Sequence, residues 1–238
     1  MKIKNTAVEK SRKSILGSSL DFASREAYNL LRTNISFAFP DVEKGKVVGV
    51  CSACPQDGKS TTSVNLSYSL AEAGYKVLLI DGDMRRPTVA SMLEIPAEPG
   101  LSDILSGNQE FEVKKGVLNE NMSVLVSGHI PPNPSELIGS NKMGTLLDSV
   151  KSEYDYVIVD LPPVLSVSDP LAVSKYLGGM IIVVRHCKTK RRELTETVRQ
   201  LEFAKVKILG FVYNKVGVKN RRYHSYTKNK YRYSEYKG

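Results

Sequence analysis

Residues 53–60, Ala-Cys-Pro-Gln-Asp-Gly-Lys-Ser, constrain the fold of this chain more than any other stretch of it. Before them comes an apolar run, KVVGVCS at 46–52, and after them a helical stretch through NLSYSLAEAG that stops at Gly74. A Gly-Lys-Ser turn between a strand and a helix aims the backbone N–H groups of the turn at an anion, and the helix dipole adds to the attraction. The segment matches a phosphate loop, with Ala53 in place of the leading glycine. Gln56, Asp57, Gly58, Lys59, Ser60 and Thr61 are therefore the expected ATP ligands. Lys59 is placed to reach the β and γ phosphates, and the Ser60 hydroxyl to ligate magnesium.

The rest of the chain continues the alternation. Residues 21–38 carry apolar side chains at helical spacing behind Asp21, a plausible N-cap. The run YKVLLID reads as a strand ending at Asp81, followed by short helical pieces near 88–93 and 101–106, and a strand at 123–127. A helix is expected from about 134 to 152, then the strand DYVIVDLP ending in Asp160, and a helix near Asp169-Pro170. The strand GGMIIVVR, the helix ELTETVRQLEFAK and the strand KILGFVYN close the pattern. Apolar strands alternating with helices predict an α/β fold: a doubly wound, mostly parallel sheet with helices on both faces. Ligands bind beyond the carboxyl ends of such strands.

Two acidic motifs sit at those ends. In LLIDGDMRRP the strand delivers Asp81 to the sheet edge, and Asp83 follows on the same side by two-residue alternation. Beside a phosphate loop, two such acids can hold magnesium waters and accept a proton from an attacking hydroxyl; a common Asp-Gly turn is the alternative. The spacing does not say which of the two is the base. In VIVDLPP, Asp160 is the expected second magnesium carboxylate, so that Ser60, Asp81 and Asp160 form the candidate metal set. Asn214, at the end of the last strand, is a candidate adenine contact or a strand cap.

Charge divides the chain. The net charge is +9, and residues 215–238 hold eight Lys or Arg against one acid, Glu235, so this end alone carries +7. Beyond residue 217 the sequence VKNRRYHSYTKNKYRYSEYKG shows neither helix nor strand periodicity and reads as a mobile basic tail. Its tyrosines, Tyr223, Tyr226, Tyr231, Tyr233 and Tyr236, fit two readings. One is a basic, aromatic strip for nucleic acid. The other is a set of phosphorylation sites, whose phosphates at about −1.5 to −2 each would cancel or invert the tail's charge.

Other features narrow the class. No apolar run approaches the roughly 20 residues that span a bilayer, and the basic N-terminus has no apolar stretch behind it, so no signal peptide is expected and a cytosolic location is. Cys51 and Cys54 form a Cys-x-x-Cys between strand and loop and read as small buried or loop residues. His129, His186 and His224 show no metal spacing. The expected organisation is an N-terminal extension at 1–19, a phosphate-loop domain at 20–216 and a tail at 217–238.

From about Ser19 onward the chain resembles the bacterial tyrosine kinases of capsule and exopolysaccharide synthesis, in the form where the kinase is a separate chain. The runs CPQDGKSTTSVNL, LLIDGDMRRP and VIVDLPP carry the resemblance with the tyrosine cluster, and PGLSDILSG and PPNPSELIGS add to it. It implies autophosphorylation of Tyr223 to Tyr236 between neighbouring molecules, with ATP as donor and magnesium bound. Asp81, Asp83 and Asp160 match the family's catalytic and magnesium-binding aspartates, and Lys59 and Ser60 its nucleotide ligands. It further implies a transmembrane adaptor as activator, holding the kinase at the inner face of the membrane, and a phosphotyrosine phosphatase and protein substrates as partners.

The chain departs from that family at two places. Glu26, Asn29 and Arg32 stand where a Glu-x-x-Arg-x-x-Arg motif supports ring assembly, and Gln56-Asp57 replaces a usual Gly-Glu. Partition and division-site ATPases, which switch on nucleotide at membranes, are the rival reading. They carry a second lysine where this chain has Cys54. A nucleic-acid-binding module ranks behind both, because the nearly neutral body offers no second contact surface.

Overall fold

The computed structural model describes residues 16–40, 44–107 and 110–216. Its centre is a seven-stranded sheet of β1 (Lys46–Ser52), β2 (Val77–Asp81), β3 (Lys114–Lys115), β4 (Met122–Leu125), β5 (Tyr156–Asp160), β6 (Gly179–Arg185) and β7 (Ile208–Asn214). The spatial order is β3-β4-β2-β5-β1-β6-β7. Every pairing is parallel except that of β3 with β4.

Strand alternation builds two cores. Leu78, Ile80, Val157, Val159, Met180 and Ile182 face one side, and Val77, Leu79, Tyr156, Ile158, Ile181 and Val183 the other. Burial on both faces explains why these strands read as unbroken apolar runs. One side is closed by α1 (Phe22–Phe37), α2 (Lys59–Glu72) and α3 (Val89–Leu93). The other is closed by α4 (Leu101–Ser106), α5 (Pro134–Ile138), α6 (Asn141–Val150), α7 (Asp169–Val173) and α8 (Arg191–Phe203). Each fully buried Leu or Ile contributes about 1.5–3 kcal/mol, so the central strands and α2 hold the sheet edge in place.

The doubly wound, mostly parallel sheet agrees with the expectation, and its details differ at three places. The helix expected over 134–152 is two helices, because the Ser140 hydroxyl accepts from the Met143 amide and starts α6 afresh. Gly139, at the break, lies where an added Cβ would stand 3.0 Å from the Ala172 side chain, so the chain turns there against α7. The two-residue β3 pairs antiparallel at the sheet edge, too short to leave a periodic signal. Third, β4 spans Met122–Leu125 rather than 123–127.

Leu16 and Gly17, within the stretch expected as an extension, pack on α2: Leu16 is buried, and the Gly17 amide donates to the Asn65 side chain. The tail at 217–238, with its five tyrosines, lies outside the described residues. Among the described residues no helix is long and apolar enough to cross a membrane. Cys51 is buried, and both Cys51 and Cys54 are free thiols.

Candidate active site

The loop between β1 and α2 is shaped from outside. Arg185 donates to the Gln56 carbonyl (3.0 Å), Lys188 to that of Pro55 (2.7 Å), and the Asn214 amide to that of Asp57 (2.9 Å). In a trans peptide the N–H points opposite its carbonyl, so these three contacts turn the amides of Gln56, Asp57 and Gly58 the other way. Among the described residues, no amide from Gln56 to Thr61 donates a hydrogen bond. A run of free N–H groups at the start of a 14-residue helix is an anion cradle. Its curvature needs left-handed backbone at Gln56 (φ 66°) and Gly58 (φ 101°). At Gly58 an added Cβ would also stand 1.9 Å from Asn214 Nδ2.

Lys59 reaches across to the acids. Its Nζ lies 2.8 Å from Asp83 Oδ2, 3.8 Å from Asp160 Oδ2 and 3.4 Å from the Ser60 hydroxyl. Burial works to lower the Lys59 pKa, but the charges of Asp160 and Asp83 outweigh it and raise it, so the ammonium stays charged.

The three aspartates come together and are held differently. Asp81 and Asp160 are register partners on adjacent strands, both fully buried. Asp81 accepts from the backbone amides of Asp83 (3.2 Å), Thr88 (3.2 Å) and Val89 (3.0 Å), so it folds the following loop around itself. Burial first, then the neighbouring Asp160 charge, pushes its carboxyl up to about 7. Asp83 takes Lys59 on one oxygen and the Arg86 amide (3.1 Å) on the other. Asp160 accepts from the Ser63 hydroxyl (3.1 Å) on Oδ1, while its buried Oδ2 has no hydrogen bond. Burial raises the Asp160 pKa, held back by Lys59 and Ser60.

An orphaned carboxylate oxygen beside a serine hydroxyl at the foot of an anion cradle suits a magnesium ion that arrives on a nucleotide. Among the described residues no cluster of three or more His, Cys, Asp or Glu is arranged to hold a metal by itself. Magnesium commonly takes only one or two protein ligands and draws the rest from phosphates and water, so the residues present fit it.

Asn214 was a candidate from the sequence, whereas Ser63, Arg185, Lys188 and Arg85 were not. Asn214 spends its amide on the Asp57 carbonyl and accepts from the Lys215 amide, which makes it a brace of the loop here. Ser63, one turn beyond Lys59 on the same helix face, was reachable from its i+4 spacing. Arg185 and Lys188 stand at the carboxyl end of the strand next to β1, which topology reveals and spacing does not. Arg85 forms a bidentate pair with the buried Asp169 (3.0 and 3.1 Å), and its guanidinium also donates to Ser135 (2.9 Å). These contacts lock the loop after β2 to α5 and α7.

The family model for an AAA domain matches residues 46–207, which include the phosphate loop, Asp81, Asp83 and Asp160. Tyrosine-protein kinase YwqD from Bacillus subtilis is 40% identical over 190 residues, covering 79% of this chain and 80% of the relative. The chain belongs to the bacterial tyrosine kinase family. Among solved structures, the kinase domain of the Escherichia coli tyrosine kinase ETK superimposes with a TM-score of 0.77 at 34% identity. That match covers 81% of this chain and 76% of the other. Some family members are far longer: the chain spans only 26% of the tyrosine-protein kinase Ptk of Acinetobacter johnsonii, at 36% identity. The cell division ATPase MinD of Pyrococcus furiosus shares the fold at lower similarity, with a TM-score of 0.63, 25% identity, and coverage of 74% and 75%.

Proposed function

We propose that this protein is an ATP-dependent protein-tyrosine autokinase that phosphorylates Tyr223, Tyr226, Tyr231, Tyr233 and Tyr236 of neighbouring copies, and that it regulates capsular or exopolysaccharide synthesis. The observation that carries the reading is the free-amide cradle of residues 56–61, whose Lys59 meets Asp83 and Asp160. Phosphoryl transfer needs positioning and charge neutralisation more than covalent help, and this arrangement offers both.

In this reading the amides of Gln56 to Thr61 bind the phosphates and Lys59 neutralises the charge that grows on the transferred group. Ser60, Asp81 and Asp160 would hold magnesium, which would supply Lewis-acid polarisation of the phosphates. A tyrosine hydroxyl, with a pKa of about 10, gives its proton to Asp81 or Asp83. The Asp81 pKa of about 7 suits proton acceptance at neutral pH, whereas Asp83 keeps slight solvent exposure, at 4%. A transmembrane adaptor as activator, a phosphotyrosine phosphatase and further protein substrates complete the system. They would place the protein at the inner face of the membrane through its adaptor.

The test is incubation with ATP and magnesium, with an adaptor segment supplied, followed by intact mass and site mapping beside Lys59→Met. Phosphate on the tail tyrosines, absent from the variant, is the expected result. ATP turnover without phosphotyrosine would instead favour a nucleotide-switched ATPase of the MinD type. If Asp81→Ala and Asp83→Ala both leave the rate unchanged, the proton-accepting role is wrong.

A further inference from the structure

From the last residue of β6 to the second of α8, eight residues carry five cations, Arg185, Lys188, Lys190, Arg191 and Arg192, and no acid. Arg185 and Lys188 are spent on phosphate-loop carbonyls. Lys190, Arg191 and Arg192 are exposed, and among the described residues their side chains make no ion pair or hydrogen bond. Of the nearest acids, Glu193 accepts from the Lys190 backbone amide, and Glu196 hydrogen-bonds Arg199 while also feeling the Arg192 charge. A shallow depression of about 580 Å³ lies here, lined by Arg191, Arg192, Thr195 and Glu196. Exposed guanidinium groups with no hydrogen bond among the described residues, at the start of a 13-residue helix, favour an anion with several acceptor oxygens.

Resting on the autokinase reading, the geometry points to this turn as a docking site for the protein's own tail once its tyrosines are phosphorylated. Reach and charge both select that occupant. Arg185 and Asn214 are register partners, so the tail departs beside the patch, and its 22 residues span up to about 70 Å when extended. The unmodified tail is basic and is repelled. Each phosphotyrosine adds about −1.5 to −2 charge and three acceptor oxygens, the chemistry that paired arginines bind in bidentate fashion. The phosphorylated tail then lies against the turn that braces the phosphate loop, and modification changes where the tail rests.

The test uses the full chain, dephosphorylated and free of nucleotide, titrated with synthetic peptides of residues 217–238. One peptide carries phosphotyrosine at 231, 233 and 236, and the other carries none. Only the phosphopeptide should bind, and Arg191→Ala/Arg192→Ala should weaken it roughly tenfold or more with an unchanged melting temperature. Equal binding of both peptides, or no loss in the double variant, overturns the proposal. So does a variant that loses binding to phosphatidylglycerol vesicles while keeping the phosphopeptide, which assigns the patch to a membrane surface. Because the phosphates are placed by synthesis, this outcome is independent of whether the protein phosphorylates itself, which site mapping reads separately.

Discussion

Gly58 and Asp81 show how single residues set the chemistry. Gly58 combines a left-handed φ of 101° with a side-chain amide 1.9 Å from where its Cβ would be. Gly58→Ala must therefore open the loop or expel Asn214, at a cost of about 1–3 kcal/mol. Titration with a fluorescent ATP analogue should show affinity lower by roughly tenfold or more, on the same scale of 1.4 kcal/mol per decade. Asp81 governs a pH dependence. Its carboxyl, raised to about 7 by burial and by Asp160, holds its proton more tightly in the folded state than in the unfolded chain. Its contribution to stability is thus full below about pH 4 and is lost as pH climbs through about 7. Nucleotide-free protein should melt higher near pH 5.5 than near pH 8, with the gap narrowed in Asp81→Asn. A variant that keeps the whole gap shows that the slope comes from other groups.

Between elements, side-chain pairs decide which loops are free. Arg85 clamps the loop after β2 to α5 and α7 through Asp169, whose carboxylate is buried at 1% side-chain exposure. Removing the guanidinium leaves that charge without its ion partner, which for buried pairs costs about 3–5 kcal/mol. Arg85 itself is 39% exposed and solvent screens part of this, so Arg85→Ala should destabilise by about 1–3 kcal/mol in chemical denaturation. No change would mean that Ser135 alone satisfies Asp169.

The same pair marks where the sequence stops being legible. The phosphate loop, Asp81, Asp83 and Asp160 were readable because each follows an apolar strand or opens a helix. The register Asp81 to Asp160 then brings them together. The Arg85–Asp169 pair is 84 residues apart, and nothing in local spacing joins its ends. The break at Gly139-Ser140 was hidden for the opposite reason. Both halves keep helical periodicity, and only the Ser140 cap divides them. In α1, Asn29 and Arg32 both bond to Ser69 of α2, and Asn29 also bonds to Glu26. Residues expected at an assembly motif are here engaged within one chain.

For the whole molecule, charge distribution governs how copies meet. The chain carries +9, with +7 of it in residues 215–238, so unmodified copies repel one another through the segments that carry the candidate tyrosines. Five phosphates would remove about 7.5 to 10 charges and bring the molecule near neutrality. If transfer runs between molecules, the initial rate per molecule should rise with protein concentration. It should also rise as salt increases from about 10 to 100 mM, because the Debye length shrinks from about 30 to 10 Å and screens the repulsion. Phosphate incorporation should then accelerate after the first sites are filled, as each phosphate lowers the barrier to the next encounter. Phosphotyrosine measured against time across a dilution series separates the cases. A rate per molecule that ignores dilution would show that each chain phosphorylates its own tail, which is within reach because Tyr223 lies nine residues past Asn214, about 30 Å when extended.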